Sequence, residues 1–253
     1  MRRFPTWILI AVLATACATS PLGRRTLKLV SDDQMSEMGI ASFTDLKKKT
    51  PETKDAKASG YVTCVAHAVT SVMDASTQWE VRVFEDKQVN AFALPGGKIG
   101  VYTGLLKIAT TQDQLAAVLG HEVAHVIAGH SAERVSDGMA AQLGLNVIQA
   151  STGINPEMLG VATHVFFLLP HSRTHESEAD LLGMDYMARA GFDPHQAIEL
   201  WENMSKAGGE KPPEMLSTHP SDSTRIRQLQ DRLATSMPLY EQARSQGRVP
   251  KCK

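Results

Sequence analysis

The chain has 253 residues, of which 43% are hydrophobic and 21% are charged. This balance is typical of a folded globular protein and argues against intrinsic disorder, which requires low hydrophobicity and high net charge. The 26 basic residues are offset by 27 acidic ones, so the formal net charge is −1. The sequence has no long basic run of the kind that indicates binding to nucleic acid. Beyond the N-terminus, no segment approaches the ~18 to 20 apolar residues of a spanning helix, which excludes a multi-span membrane protein.

The first 16 residues have the pattern of a secretory signal peptide. Arg2 and Arg3 form a positively charged start, a short apolar segment follows at 7–13, and small residues at 14–16 offer a cleavage site. Cleavage after residue 16 would leave Cys17 at the N-terminus, in a context that resembles a bacterial lipoprotein box. We therefore expect Cys17 to be lipidated. Plain secretion and an uncleaved anchor are the alternatives.

The rest of the chain is predicted to form a linker at 17–30, one domain at 31–240 and a C-terminal tail at 241–253. Hydrophobic periodicity predicts an α+β fold, in which a small sheet is surrounded by helices. The predicted elements are, in order, surface helices within 31–57, a core-facing helix at 61–74, strands at 79–84, 90–94 and 98–102, and mainly helices from 111 to about 234.

The strongest chemical signal is the sequence HEVAH at 121–125. His121 and His125 are four residues apart, so they lie on one helical face and are close enough to bind one ion. Imidazole nitrogens are ligands that zinc prefers. Glu122 would then act as the general base toward a water molecule at the metal. The alternative is two helical histidines that bind no metal.

A catalytic zinc site needs a third protein ligand. Glu176 and Asp180 lie one helical turn apart in a second predicted helix. We assign Glu176 to the metal and Asp180 to the free ring nitrogen of a ligand histidine, His121. His171 and His175 are rival candidates for the third ligand.

Two neighbouring residues receive structural interpretations. Glu178 points elsewhere on the second helix, so we predict a solvated charge. His130 lies where the helix of the HEVAH motif is expected to end, and a cationic ring there would interact favourably with the helix dipole.

Four segments of the chain occur in the order seen in the forty-eighth metallopeptidase family, which the chain therefore resembles. They are NAFALPGGKIGVYTGLL, HEVAHVIAGH, HESEADLLGMDYMARAGFDP and STHPSDSTRIRQL. The resemblance extends over roughly residues 60 to 233 and is greatest to the short, LoiP-like lipoprotein members. It implies a mainly helical gluzincin fold, with an active-site helix, a Glu-bearing helix and a small sheet with an edge strand.

The resemblance also implies functional roles for individual residues. The zinc ligands of the family fall on His121, His125 and Glu176, and its catalytic glutamate falls on Glu122. These are the residues that the spacing alone had suggested. One Zn²⁺ per chain is therefore expected.

The family's Thr-His-Pro motif falls on residues 218–220 and is followed by an arginine, Arg225. His219 could donate a hydrogen bond to the oxyanion, and Arg225 could orient or stabilise the same region, so both are interpreted as catalytic. Alternatively, His219 occupies the open metal position in a self-inhibited resting state. Without the resemblance, both would be interpreted as an ordinary loop histidine and a surface arginine.

The segment formed by Asn90, Ala91, Phe92 and Ala93 is interpreted as the edge strand that receives substrate. An extended peptide can add to a sheet edge through backbone hydrogen bonds that demand little sequence specificity. The alternative is an ordinary core hairpin in which Phe92 is buried, and both interpretations can hold together.

The remaining cysteines are Cys64 and Cys252. In an exported protein they could form a disulfide that ties the tail to the domain. The alternative is that Cys64 is a small buried hydrophobic residue.

Together these features predict a zinc endopeptidase that hydrolyses misfolded or damaged envelope proteins. The expected location is the periplasm, with a lipid anchor in the outer membrane. The expected partners are unfolded or misassembled substrates and the membrane, with no role for nucleic acid. The alternative is a chaperone-like or scaffolding lipoprotein with a capped zinc site.

Overall fold

The structure is a computed structural model of the chain. It describes residues 17–73, 77–143, 164–169, 171–207, 214–219 and 223–253. The predicted signal peptide at 1–16 lies outside the described residues, as does Pro220 of the Thr-His-Pro motif.

The described part of the chain is mainly helical with two small sheets, which confirms the predicted α+β class. The helices are α1 (Asp32–Lys49), α2 (Ala56–Thr70), α3 (Gln112–Ile127), α4 (His130–Leu143), α5 (Arg173–Arg189), α6 (His195–Ala207), α7 (Glu214–Thr218) and α8 (Ser223–Ser245). The strands are β1 (Cys17–Thr19), β2 (Arg25–Leu27), β3 (Glu80–Phe84), β4 (Ala91–Leu94) and β5 (Lys98–Tyr102). A 3₁₀ turn spans Leu105–Lys107, and a π-helical turn spans His164–Leu168.

The larger sheet has the order β3-β5-β4, with β3 parallel and β4 antiparallel to the central strand β5. Within the described ranges, strand β4 pairs with β5 on one side and with no strand on its other side. Gly96 and Gly97 connect β4 to β5 with φ of +81° and +70°. The hairpin loop between the two strands has three residues, 95–97, and glycine adopts its left-handed backbone without a steric penalty.

Helix α3 carries the HEVAH motif and is the central element of the core. Thr111 caps its start by accepting a hydrogen bond from the backbone N–H of Gln114 at 3.1 Å. The helix is followed by Gly129, whose φ of +70° reverses the chain so that α4 begins at His130. Consequently His130 folds back toward the last turn of α3.

Helices α3 and α5 cross with their backbones in near contact. A Cβ atom on Gly120 would lie 2.7 Å from the carbonyl oxygen of Gly183, and one on Gly183 would lie 2.6 Å from the backbone nitrogen of His121. Neither position has room for a side chain. This crossing brings the Glu-bearing helix directly against the helix of the HEVAH motif.

Both ends of the described chain are packed against the helices. The segment at 17–30, predicted as a linker, contains the hairpin β1–β2, with Cys17 paired to Leu27. At the other end a disulfide joins Cys64 of α2 to Cys252 of the tail. Gln112 exchanges two 3.0 Å hydrogen bonds with the tail backbone, at Pro250 and Cys252. No helix in the described ranges is long and apolar enough to cross a bilayer.

Candidate metal centre

Four side chains from three parts of the fold converge on one point: His121, His125, Glu176 and His219. Each offers a nitrogen or oxygen atom, and these atoms all lie within 4.8 Å of one another. All four residues are at most 4% exposed. The structure therefore brings together the three predicted metal ligands, and His219 joins them.

The separations among these atoms fit a single small cation. His121 Nε2 lies 3.0 Å from His125 Nε2 and 3.5 Å from Glu176 Oε2, and His125 Nε2 lies 3.4 Å from Glu176 Oε1. Ligands bound tetrahedrally at about 2.0–2.1 Å are separated from one another by about 3.3 Å. Two imidazoles and one carboxylate are also a donor set that catalytic zinc uses.

His219 places Nδ1 on the open side of these three residues. This atom lies 3.2 Å from His121 Nε2 and 2.9 Å from Glu176 Oε1. Its other ring nitrogen, Nε2, lies 3.5 Å from Oε1 of Glu122. His219 is thus arranged as a fourth member of the donor set, with its opposite side toward the predicted general base.

Glu122 lies beside the donor set, and one of its carboxylate oxygens accepts no hydrogen bond from the described residues. Its side chain is buried, and its Oε1 has no hydrogen-bond partner in the described part of the chain. Burial raises the pKa of Glu122, although a backbone hydrogen bond from Ala93 of β4 acts in the opposite direction. A carboxylate with a raised pKa that faces a metal position is suited to accept a proton from water.

Asp180 contacts the ring nitrogen of His121 that faces away from the metal position, as the spacing had suggested. Its Oδ1 lies 2.9 Å from His121 Nδ1, which leaves Nε2 facing the metal position. Arg225 holds this carboxylate with hydrogen bonds of 2.7 and 2.8 Å. Burial would raise the pKa of Asp180, but Arg225 and His121 together hold it below its ordinary value.

Arg225 lies behind the ligands rather than beside the cleft. Its Nη1 is 2.9 Å from Glu176 Oε2, and its guanidinium lies 4.1 Å from the centre of the Trp201 ring. It is not among the described residues that line the cleft. In this position Arg225 can orient Asp180 and Glu176, and its Nη1 also donates to the backbone oxygen of His219 at 3.3 Å. Its predicted effect on the oxyanion stays a prediction.

The edge of β4 that pairs with no described strand lines the cleft beside the donor set. Residues 90–94 line this cleft with Glu122, His125 and His219, and residues 166, 167 and 169 also line it. Phe167 packs on Phe92 with 5.1 Å between ring centres. The remaining cavity is about 30 Å³, which is room for about one water molecule. This volume is too small to hold an extended peptide in the present arrangement.

Residues 56–233 match the family model described as Peptidase family M48. The chain belongs to this family. It is 40% identical over 174 residues to mitochondrial metalloendopeptidase OMA1 of Schizosaccharomyces pombe, which covers 68% of this chain and 52% of that protein. It is 37% identical over 222 residues to OMA1 of Arabidopsis thaliana, which covers 86% of this chain and 45% of that protein. It is 27% identical over 263 residues to a putative beta-barrel assembly-enhancing protease of Vibrio cholerae, which covers 94% of this chain and 54% of that protein.

The predicted membership of this metallopeptidase family is confirmed by these comparisons. The chain spans about half the length of the curated relatives it matches. These relatives are named OMA1 or beta-barrel assembly-enhancing protease. They support the family, but they do not support the narrower predicted likeness to LoiP-like lipoproteins.

The sequence-based interpretations of Glu178 and His130 are wrong. Glu178 is only 5% exposed and lies within reach of Arg24 and His130, so it is not a solvated charge. His130 is completely buried, and burial lowers its pKa to about 4, so its ring is neutral rather than cationic at pH 7. No local pattern indicates these contacts, because Arg24 is 154 residues away from Glu178.

The two rival ligands, His171 and His175, do not join the donor set of this family member. The ring centre of His171 lies 3.9 Å from that of His125 and 5.0 Å from that of His219. His175 lies 3.1 Å from Glu133 of α4. Between the two histidines and Glu176, only Glu176 reaches both His121 and His125.

Proposed function

We propose that this protein is a zinc-dependent endopeptidase that cleaves extended segments of unfolded or misassembled proteins. The observation that carries the proposal is the convergence of His121, His125 and Glu176, with the buried Glu122 beside them. Membership of Peptidase family M48 supports it. Zinc is the proposed metal because the donor set and the donor separations suit it.

The chain's own residues would divide the work of peptide hydrolysis. A zinc ion held by His121, His125 and Glu176 would supply Lewis-acid chemistry at the scissile carbonyl. Glu122 accepts a proton from the attacking water at its unpaired carboxylate oxygen and passes it to the leaving amine nitrogen. Strand β4 aligns the substrate through its backbone, so selection depends on extended conformation more than on sequence.

The decisive experiment compares wild type with Glu122→Gln. The purified wild type should contain close to one zinc per chain and cleave an unfolded protein, and a chelator should abolish cleavage. Glu122→Gln should retain the metal and lose at least about 100-fold in cleavage rate, because general-base catalysis contributes on this scale. Glu37→Gln, an exposed glutamate on α1, is the matched control. Cleavage by Glu122→Gln at the wild-type rate would contradict the mechanism.

The position of His219 favours a second candidate, in which the zinc site is closed and the protein acts as a chaperone-like or scaffolding molecule. Four protein ligands are typical of structural zinc, and His219 Nδ1 lies within 3.2 Å of both His121 Nε2 and Glu176 Oε1. The variant His219→Ala separates the possibilities. Faster proteolysis would indicate a cap on an enzyme, and slower proteolysis would indicate a donor to the transition state. An unchanged rate would remove His219 from both accounts.

The proposed location is the periplasmic side of the bacterial envelope, with a lipid on Cys17. The signal-like N-terminus and the name of the Vibrio cholerae relative support this location. The envelope substrates and the LoiP-like lipoprotein form belong to the same proposal. Labelling with a radioactive fatty acid should mark the wild type and not Cys17→Ser. Unlabelled wild-type protein in the soluble fraction would contradict the anchor.

A further inference from the structure

The two histidines of the HEVAH motif differ in the group that contacts Nδ1, the ring nitrogen facing away from the metal position. His121 contacts a carboxylate directly, at Asp180. His125 instead contacts a second imidazole, with 2.8 Å between its Nδ1 and Nδ1 of His130. Nε2 of His130 lies 3.2 Å from Oε2 of Glu178. The carboxylate behind His125 is therefore one residue further away than the one behind His121.

This second carboxylate is held by an arginine from the N-terminal hairpin. Arg24 donates through Nε to Oε2 of Glu178 at 2.9 Å. Its two terminal nitrogens bond both oxygens of Glu133 at 2.6 and 2.7 Å. Arg24 thus links α4 to α5. The turn that presents it is closed by hydrogen bonds to Ser20, one from the backbone N–H of Arg24 to the Ser20 hydroxyl at 3.1 Å.

One arrangement of protons satisfies this series of contacts when His125 binds a metal. Because Nε2 of His125 faces the ion, its Nδ1 carries the hydrogen and donates to Nδ1 of His130. The hydrogen of His130 is then on Nε2, where it donates to Glu178. The hydrogen bond that a ligand histidine makes through its other nitrogen fixes its tautomer and its ring orientation.

We propose that Arg24 is a positioning residue for the metal centre, which it influences by holding Glu178 and, through it, His130 and the ligand His125. The inference rests on the proposed function, since it takes His125 as a metal ligand. It makes the hairpin that begins at Cys17 a support of the metal site.

The test uses the full chain and measures metal binding rather than activity. Zn²⁺ affinity is measured by competition with a chromophoric chelator, and the visible absorption of the Co²⁺ form reports ligand geometry. Arg24→Gln should weaken Zn²⁺ binding by about tenfold, the lower end of the effect of losing an outer-shell partner, and should change the Co²⁺ spectrum. Arg25→Gln is the matched control, because Arg25 is the adjacent, exposed arginine of the same hairpin.

A double-mutant cycle tests whether the effect passes through His130. His130→Phe keeps a ring but removes the acceptor, and should weaken Zn²⁺ binding by about 10 to 100-fold. Arg24→Gln should then cause no further loss in that background. His130→Asn restores an acceptor for His125 and should recover part of the affinity. An equal loss from Arg24→Gln in both backgrounds would overturn the proposal.

Further outcomes separate this inference from the proposed function. If the wild type binds no zinc, both fail. If the wild type binds zinc and Arg24→Gln binds it equally well, only the role of Arg24 fails, even when the melting temperature of the metal-free protein falls. Arg24→Lys serves if the glutamine variant does not fold. Lysine cannot hold both carboxylates in the same way, so it should give an intermediate affinity.

Discussion

The three buried carboxyl groups of the site differ in pKa because their neighbouring groups differ, not because of their residue type. Glu122, Glu176 and Asp180 are all 4% exposed or less, and burial alone would raise the pKa of each. The histidines around Glu176 lower its pKa well below the ordinary value, and Arg225 does so for Asp180. His219 and His121 also act to lower the pKa of Glu122, but burial outweighs them and its pKa is raised. One carboxylate can therefore accept a proton while the other two remain anionic.

The buried, neutral His130 predicts a pH dependence of stability in the metal-free protein. The unfolded chain takes up a proton near pH 6.5, whereas the folded state does so only near pH 4. Between these values the unfolded state binds more protons, so stability falls as the pH is lowered, by up to about 3 kcal/mol for this group. Urea unfolding at pH 7 and pH 4.5 measures the effect.

His130→Asn cannot titrate at this position, so it should lose less stability than wild type between the two pH values. His67→Asn changes an exposed histidine on α2 and is the control. Identical pH dependence in wild type and His130→Asn would show that His130 is not the group responsible.

Among the elements, the crossing of α3 and α5 decides whether the site exists. The ligands are contributed by both helices, and their reach depends on the backbone contact at Gly120 and Gly183. A side chain at either position would separate the helices. His121 and Glu176 would then no longer share one ion.

Gly183→Ala should therefore lower the free energy of unfolding by about 1 to 3 kcal/mol, as expected for overpacking, and should also reduce zinc content. Gly138→Ala is the matched control, because Gly138 lies in α4 with open space around its Cβ position. There alanine should be neutral or stabilising by up to about 1 kcal/mol. Denaturant unfolding and metal analysis check both variants. Equal stability and equal zinc content would refute the steric argument.

In the whole molecule, the packed structure extends beyond the residues that match the family model. That match covers 56–233, yet Arg24 contacts α4 and α5 from one side of it. On the other side, Cys252 is joined to α2 through Cys64. The two ends therefore contribute to holding the helices that carry the site.

Loss of the disulfide should destabilise the protein globally. It closes a segment with a sequence separation of 188 residues, and the double variant Cys64→Ala with Cys252→Ala should lose about 2 to 5 kcal/mol of unfolding free energy. Urea unfolding with and without reductant measures this. Reductant should lower the stability of wild type and of the control Cys17→Ser, but not that of the double variant. A reductant-insensitive wild type would argue against the bond.

The amino-acid sequence by itself determined the features that depend on short spacing. The HEVAH motif and the pairing of Glu176 with Asp180 follow from helical periodicity, since residues three or four apart share a face. The strands near 80, 91 and 98 follow from hydrophobic periodicity. The family follows from four ordered motifs.

Only the tertiary structure decided which distant charges would meet. Arg24 reaches Glu178 across 154 positions, Arg225 lies behind the ligands, and His219 faces them. The physical reason is that burial of a charged or polar group is favourable only with a partner, and the choice of partner depends on how helices pack. Helical periodicity indicates which face of a helix a residue occupies. It does not indicate which other element packs against that face.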